Sequence, residues 1–192
     1  MHRRTSIVAL LMLLAACNTD PPQVTSSKAR VMPKSGTVWG RDLASGLGLQ
    51  EWELCQELGL SDCIQDAHRI TLGGVEPTRL GIDEPLSEAL VSAPIAVDRV
   101  ALSACGERYS RDQSGPAVIF GPLLDKDSKR SRRAVAEQLI IRLLSRHPSE
   151  EEVDSLAIEL YDAIEPVADD LQRDWAIGAC VVVATSTEAL FY

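Results

Sequence analysis

Along most of this chain apolar positions recur every three to four residues, the spacing that lines one face of an α-helix. The clearest case is PSEEEVDSLAIELYDAI, in which Val153, Leu156, Ala157, Leu160, Tyr161 and Ile164 fall on one stripe. Ser149 and Glu152 stand at the start with the spacing of a capping box, so the pattern places the helix N-terminus as well as its buried face. Val135, Leu139, Ile140, Leu143 and Leu144 form the stripe of the preceding helix. Arg132, Arg133, Arg142 and Arg146 lie largely off that stripe and are expected to face solvent. Ser92 and Pro94 start an earlier helix through Val97, Val100, Ala101, Ala104, Cys105 and Arg108. After the break at Pro166, Asp169 or Asp170 restarts the pattern. The segment LQRDWAIGACVVVATSTEAL is then apolar on nearly all sides and is expected to run through the core.

The intervening segments are less regular. Leu47, Leu49, Trp52, Leu54, Cys55 and Leu58 predict a short helix stopped by Gly59, and Ser61 opens a second one running to about His68. TLGGVEPTRLGIDEPLSEALVSAP carries Gly73, Gly74, Pro77, Gly81, Pro85 and Pro94, a density of breakers that reads as a long ordered loop. Long loops in compact domains often carry function, which makes Arg79, Asp83 and Glu84 candidate binding residues. QSGPAVIFGPLL reads as an extended connector. With no strongly alternating strand, the expected fold class is all-α: a disulfide-stabilised bundle of about five or six helices with long ordered loops.

The N-terminus follows a different pattern. Arg3 and Arg4 precede an apolar run from Ile7 to Ala16, which is far shorter than the roughly 20 residues a spanning helix needs. A basic start, a short apolar stretch and the small residues Ala15 and Ala16 describe a secretory signal. Leu14, Ala15, Ala16 and Cys17 resemble the bacterial lipobox, in which the cysteine is acylated and becomes the mature N-terminus. The resemblance implies a signal peptide over 1–16 and a lipid-bearing Cys17. It further implies a protein held on a membrane through more than one acyl chain, without a helix of its own. Asn18 in place of Asp after the cysteine favours the outer membrane by the rule of that family. The Pro, Ser, Thr, Lys and Gln content up to about residue 37 suits a flexible tether, leaving 38–192 as a single helical domain.

Charge narrows the partners. Removing Arg3 and Arg4 from the 19 basic residues leaves 17 against 28 acidic ones, a net of −11, so nucleic acid is excluded as a partner on electrostatic grounds. In an oxidising compartment Cys55, Cys63, Cys105 and Cys180 suit two bridges. Three connectivities are open. The preferred one closes a short loop from Cys55 to Cys63 and joins two predicted helices through Cys105 and Cys180.

Candidate chemistry is sparse. Only His68 and His147 lie beyond the signal, so a three-histidine zinc site is excluded, and no nucleophile elbow accompanies either histidine. Gly73 and Gly74 lack the spacing of a phosphate loop, and Asp125 and Asp127 lack the remaining ligands of an EF-hand. Neither a metal nor a cofactor is expected, and no catalytic residue is assigned.

LLSRHPSEEEVDSLAIELYDAI and RDWAIGACVVVATSTEALFY resemble a helical pair found in the cytochrome-c-associated domains of unknown function of planctomycetes and myxobacteria. Arg146, Pro148, Ser149, Glu151 and Glu152 match the first element, and Thr185, Ser186, Glu188, Leu190, Phe191 and Tyr192 match the second. The resemblance implies a helical scaffold from a bacterium that exports such proteins, and it transfers no activity. The expected function is a lipid-anchored, periplasm-facing envelope protein that serves as a binding or scaffold module for another envelope or secreted component, with a protein partner expected in the envelope. The alternatives are an accessory subunit of an exported redox system and, behind it, an unrecognised hydrolase.

Overall fold

The computed structural model describes residues 32–85 and 90–192. The fold is all-α and carries two disulfides, with nine α-helices and one two-stranded ribbon among the described residues. The first helix, α1, spans Gly36–Leu47. Ser35 Oγ accepts from the Val38 amide at its start, and Trp39, Leu43, Ala44 and Leu47 supply its buried stripe. It stops at Gly48, whose left-handed φ of 64° lets Leu49 return an amide to the Ala44 carbonyl.

The next segment departs from the expected pair of short helices. Gln56–Glu57 (β1) and Ser61–Asp62 (β2) form an antiparallel ribbon, and only Glu51–Glu53 and Cys63–Ala67 turn helically. The reason is the Cys55–Cys63 disulfide, which holds the two Cα atoms 5.4 Å apart across eight residues. A helix over the same stretch would separate them by about 12 Å at 1.5 Å per residue. The cap of the second turn is Asp62 rather than Ser61, its Oδ1 accepting from Ile64 and Gln65.

The predicted loop holds a short helix α2, Pro77–Leu80, closed by an isolated bridge between Glu76 and Ile82. Helix α3, Ala93–Ser114, and helix α8, Leu171–Ala184, are the central pair. They pack against each other, each burying small residues, Ala101 and Ala104 on α3 and Ala176 and Ala179 on α8, and are joined by Cys105–Cys180. Between them in sequence come α4, Gly121–Asp125, α5, Lys129–Leu144, and a rod built from α6, Glu150–Asp154, a π-helical turn Ser155–Glu159 and α7, Leu160–Ile164. The capping box forms as the spacing predicts, with Ser149 Oγ accepting from Glu152 N and Glu152 Oε2 from Ser149 N. Short α9, Thr187–Leu190, ends the helices, and Pro33 bridges back to Phe191.

Polar atoms inside this core are matched, with Arg108 Nε as an exception. Trp39 Nε1 donates to Ala184 O and Trp175 Nε1 to Leu156 O in the π-helical turn. Asp112 accepts from the amides of Val118, Ile119 and Phe120 and pairs with Arg108 at 2.7 Å, which pins over the core a segment that bends ahead of α4 and turns helical from Gly121 instead of running extended as expected. The arginines expected to face solvent instead tie helices together. Arg142 Nε donates to Gly46 O, Arg132 stacks on Tyr161 and donates to Ala157 O, and Arg146 joins Glu152 to Glu188. Their long stems cross the apolar seam while the head groups find acceptors on the next element. Helix α8 is also less enclosed than expected, with Val182 exposed.

Candidate functional site

The most distinctive surface lies at the ribbon. Glu57, Leu58, Gly59 and Leu60 make a turn in which Leu60 N donates to Glu57 O at 3.0 Å. Both central residues have positive φ, 53° at Leu58 and 70° at Gly59, the type I′ pattern. Glycine meets that requirement without strain, whereas a γ-branched leucine at positive φ is disfavoured. Leu58 is nonetheless 91 % exposed and Leu60 85 % exposed, so neither gains core burial in exchange. Trp52, placed on the stripe of a predicted helix, is 63 % exposed on the preceding turn.

The tip is held from below. The Cys55–Cys63 disulfide closes its base, and both cysteines are buried. Glu57 Oε1 meets His68 Nε2 at 3.2 Å, and its other oxygen pairs with Arg99 of α3. His68 is therefore half-buried against a carboxylate. On α3, Ile95 and Leu102 lie four residues before and three after Arg99, on the same helical stripe, and both are exposed. Exposed apolar side chains thus flank the Glu57–Arg99 pair on both partners.

The predicted loop continues from this support. Arg69, next in the chain to His68, donates to Glu76 at 2.9 Å, and Thr78 Oγ1 donates to the other Glu76 oxygen at 2.8 Å. The hydroxyl of Thr78 first, and then the guanidinium of Arg69, hold the Glu76 carboxyl below its ordinary value. Of the residues singled out there, Arg79 lies on α2 and is exposed, and Asp83 and Glu84 follow the Ile82 bridge, also exposed. Leu86 to Ala89 and the whole of 1–31, including Cys17 and its lipobox, lie outside the described residues.

The periodicity hides Leu58, which falls four residues after Leu54 and imitates a helical face, and Leu60 lies off that stripe. The usable signal was LG between two cysteines only eight apart, a turn dipeptide inside a loop too short for a bridged helix.

Elsewhere the geometry is structural. Among the described residues no group of three or more His, Cys, Asp or Glu side chains is placed to hold a metal. A groove of about 270 Å³ runs along Arg130, Arg133, Pro148, Glu150 and Val153, where Arg133 already pairs with Glu150 and Asp154. No helix among the described residues is long and apolar enough to cross a membrane. No family model matches this chain, and no curated protein and no solved structure is similar to it at a significant level.

Proposed function

We propose that this chain is a lipid-anchored envelope protein whose helical domain is a binding module for another envelope or secreted protein. The observation that carries the binding half is the rigid, exposed apolar tip at Leu58 and Leu60, fixed by a disulfide and by the Glu57 clamp without being part of the core. Preorganised surfaces of this kind lose little entropy on association. The loop with Arg79, Asp83 and Glu84 extends the same supporting network and offers polar contacts beside it.

Support for the anchoring half comes from Leu14, Ala15, Ala16 and Cys17 with the basic and apolar stretches ahead of them. Asn18 at the position after the cysteine supports attachment at the outer membrane. The residues that carry the likeness to cytochrome-c-associated proteins, Ser149, Glu152, Arg146 and Glu188 among them, form a helix cap and an ion-pair cluster. That favours a shared scaffold over a shared redox role.

Intact-mass measurement on the membrane-extracted chain tests the anchor. The expected mass starts at Cys17, carries two or three acyl chains, and rises on reduction with alkylation by four modified thiols. A chain retaining 1–16, or one without acyl groups, removes the anchored reading.

A further inference from the structure

The hairpin tip combines three features that core formation does not account for. Leu58 occupies a strained backbone conformation that glycine would adopt freely. Leu58 and Leu60 project where no apolar neighbour covers them. The disulfide, the Asp62 cap and the His68–Glu57–Arg99 clamp hold that arrangement in place. Strain retained at an over-determined surface position is characteristic of sites that act on something outside the fold.

The rim decides what that something is. Residues 50–66 carry five carboxylates and no Lys or Arg. Arg41, Arg69, Arg99 and Arg111 reach in from outside, but Arg69 also pairs with Glu76 and Arg111 with Glu107. Seven carboxylates against four guanidiniums leave the surround at −3 among these residues. An anionic lipid surface is repelled by such a rim, and a second copy would bring two like-charged rims together.

We infer that Leu58 and Leu60 form a plug that inserts into an apolar socket on a protein partner, a socket rimmed by Lys or Arg side chains that complement the acidic surround. This rests on the binding-module reading and names its contact. The tip supplies the desolvated anchor, and the rim supplies orientation and a salt-sensitive association rate.

The test places a photo-crosslinking phenylalanine analogue at Leu60, at Arg79 and at Val182 in the full-length chain within its own cells. Val182 is exposed on α8 and outside the patch. The expected result is one discrete protein adduct from position 60, absent at 182, whose crosslinked peptide maps to an apolar pocket flanked by Lys or Arg. That adduct should fall about tenfold when Leu58→Gly is added, the loss of one anchoring side chain, and should weaken at high salt. Leu58→Gly removes the side chain and the positive-φ strain together, so its thermal midpoint should stay level or rise, which separates lost contact from lost fold. A phospholipid adduct, a crosslinked dimer of this chain, an adduct indifferent to Leu58→Gly, or an acidic partner pocket each overturns the plug. An adduct from position 79 with none from 60 overturns the plug and leaves the binding module standing. No protein adduct from either position overturns both.

Discussion

At the scale of single residues, close approach and charge each make a measurable claim. Gly46 of α1 lies where a Cβ would come 2.7 Å from Leu143 Cδ2 and 2.9 Å from the Arg142 carbonyl oxygen. The side-chain atom can move but the backbone oxygen belongs to α5 and cannot shift alone. Gly46→Ala should therefore cost about 1–3 kcal/mol of unfolding free energy, the usual range for overpacking, read from urea denaturation. An unchanged midpoint would show that α1 and α5 are less tightly joined than the Arg142–Gly46 hydrogen bond implies. Glu152 makes a pH-dependent claim. Its hydrogen bond with Arg146, followed by the Ser149 amide, pulls its carboxyl from the ordinary 4.5 down to about 2. A lowered folded-state value means the stabilisation is present above the ordinary value and is lost as pH falls through about 2. Glu152→Gln keeps the capping-box geometry while removing the charge. The thermal midpoints of wild type and variant should differ most above about pH 5 and converge towards about pH 2. A gap that stays constant across that range would assign the effect to shape rather than charge.

At the scale of elements, the two disulfides do different work. Cys105–Cys180 spans 75 residues and joins α3 to α8 at the centre, whereas Cys55–Cys63 closes eight residues at the surface ribbon. Chain-entropy reasoning assigns about 4.5 kcal/mol to the long closure and about 2.5 kcal/mol to the short one. Replacing both members of the central pair by alanine should lower global stability by more than replacing both members of the ribbon pair. Hydrogen exchange should then show protection lost across α3 and α8 in the first case, and confined to 55–68 in the second. Loss of α3 protection in the ribbon variant would mean that the Glu57–Arg99 clamp couples the ribbon to the core more strongly than its exposed setting indicates.

The same contrast explains what could be read in advance. The helices bearing Val153 to Ile164, Val135 to Leu144 and Val97 to Arg108 were legible because burial imposes a period that side chains obey directly. Helix α1 was not, since Gly36, Gly40 and Gly46 dilute its stripe. Those glycines are there because Leu72, Ile64 and Leu143 press against the backbone. The ribbon was misread as helical because Leu54 and Leu58 fall four residues apart. A covalent bond eight residues long overrode that period. The LG turn between the two cysteines was readable, but the exposure of Leu58 and Leu60 was not, because it depends on which elements lie nearby, and among the described residues none covers them.

At the scale of the whole molecule, the described unit closes upon itself. Lys34 N donates to Leu190 O, Tyr192 N donates to Met32 O, and the Lys34 ammonium lies 5.7 Å from the centre of the Tyr192 ring. Both edges of the unit are therefore joined by backbone hydrogen bonds at one place, and its core draws on residues from Trp39 onward. On the proposed reading, attachment to the membrane depends on Cys17, whereas the core among the described residues is built from Trp39 onward. The two properties should separate cleanly in one variant. Cys17→Ala removes the acylated sulfur and with it the proposed acyl chains, and no helix among the described residues is long and apolar enough to cross a membrane. The chain should leave the membrane fraction, resist no longer a carbonate wash, and keep the thermal midpoint and disulfide content of the wild-type domain. Retention of Cys17→Ala in washed membranes would locate the anchor elsewhere in the chain. Release accompanied by a lowered midpoint would mean that residues ahead of Met32 contribute to the fold and that the Pro33–Phe191 bridge is not its boundary.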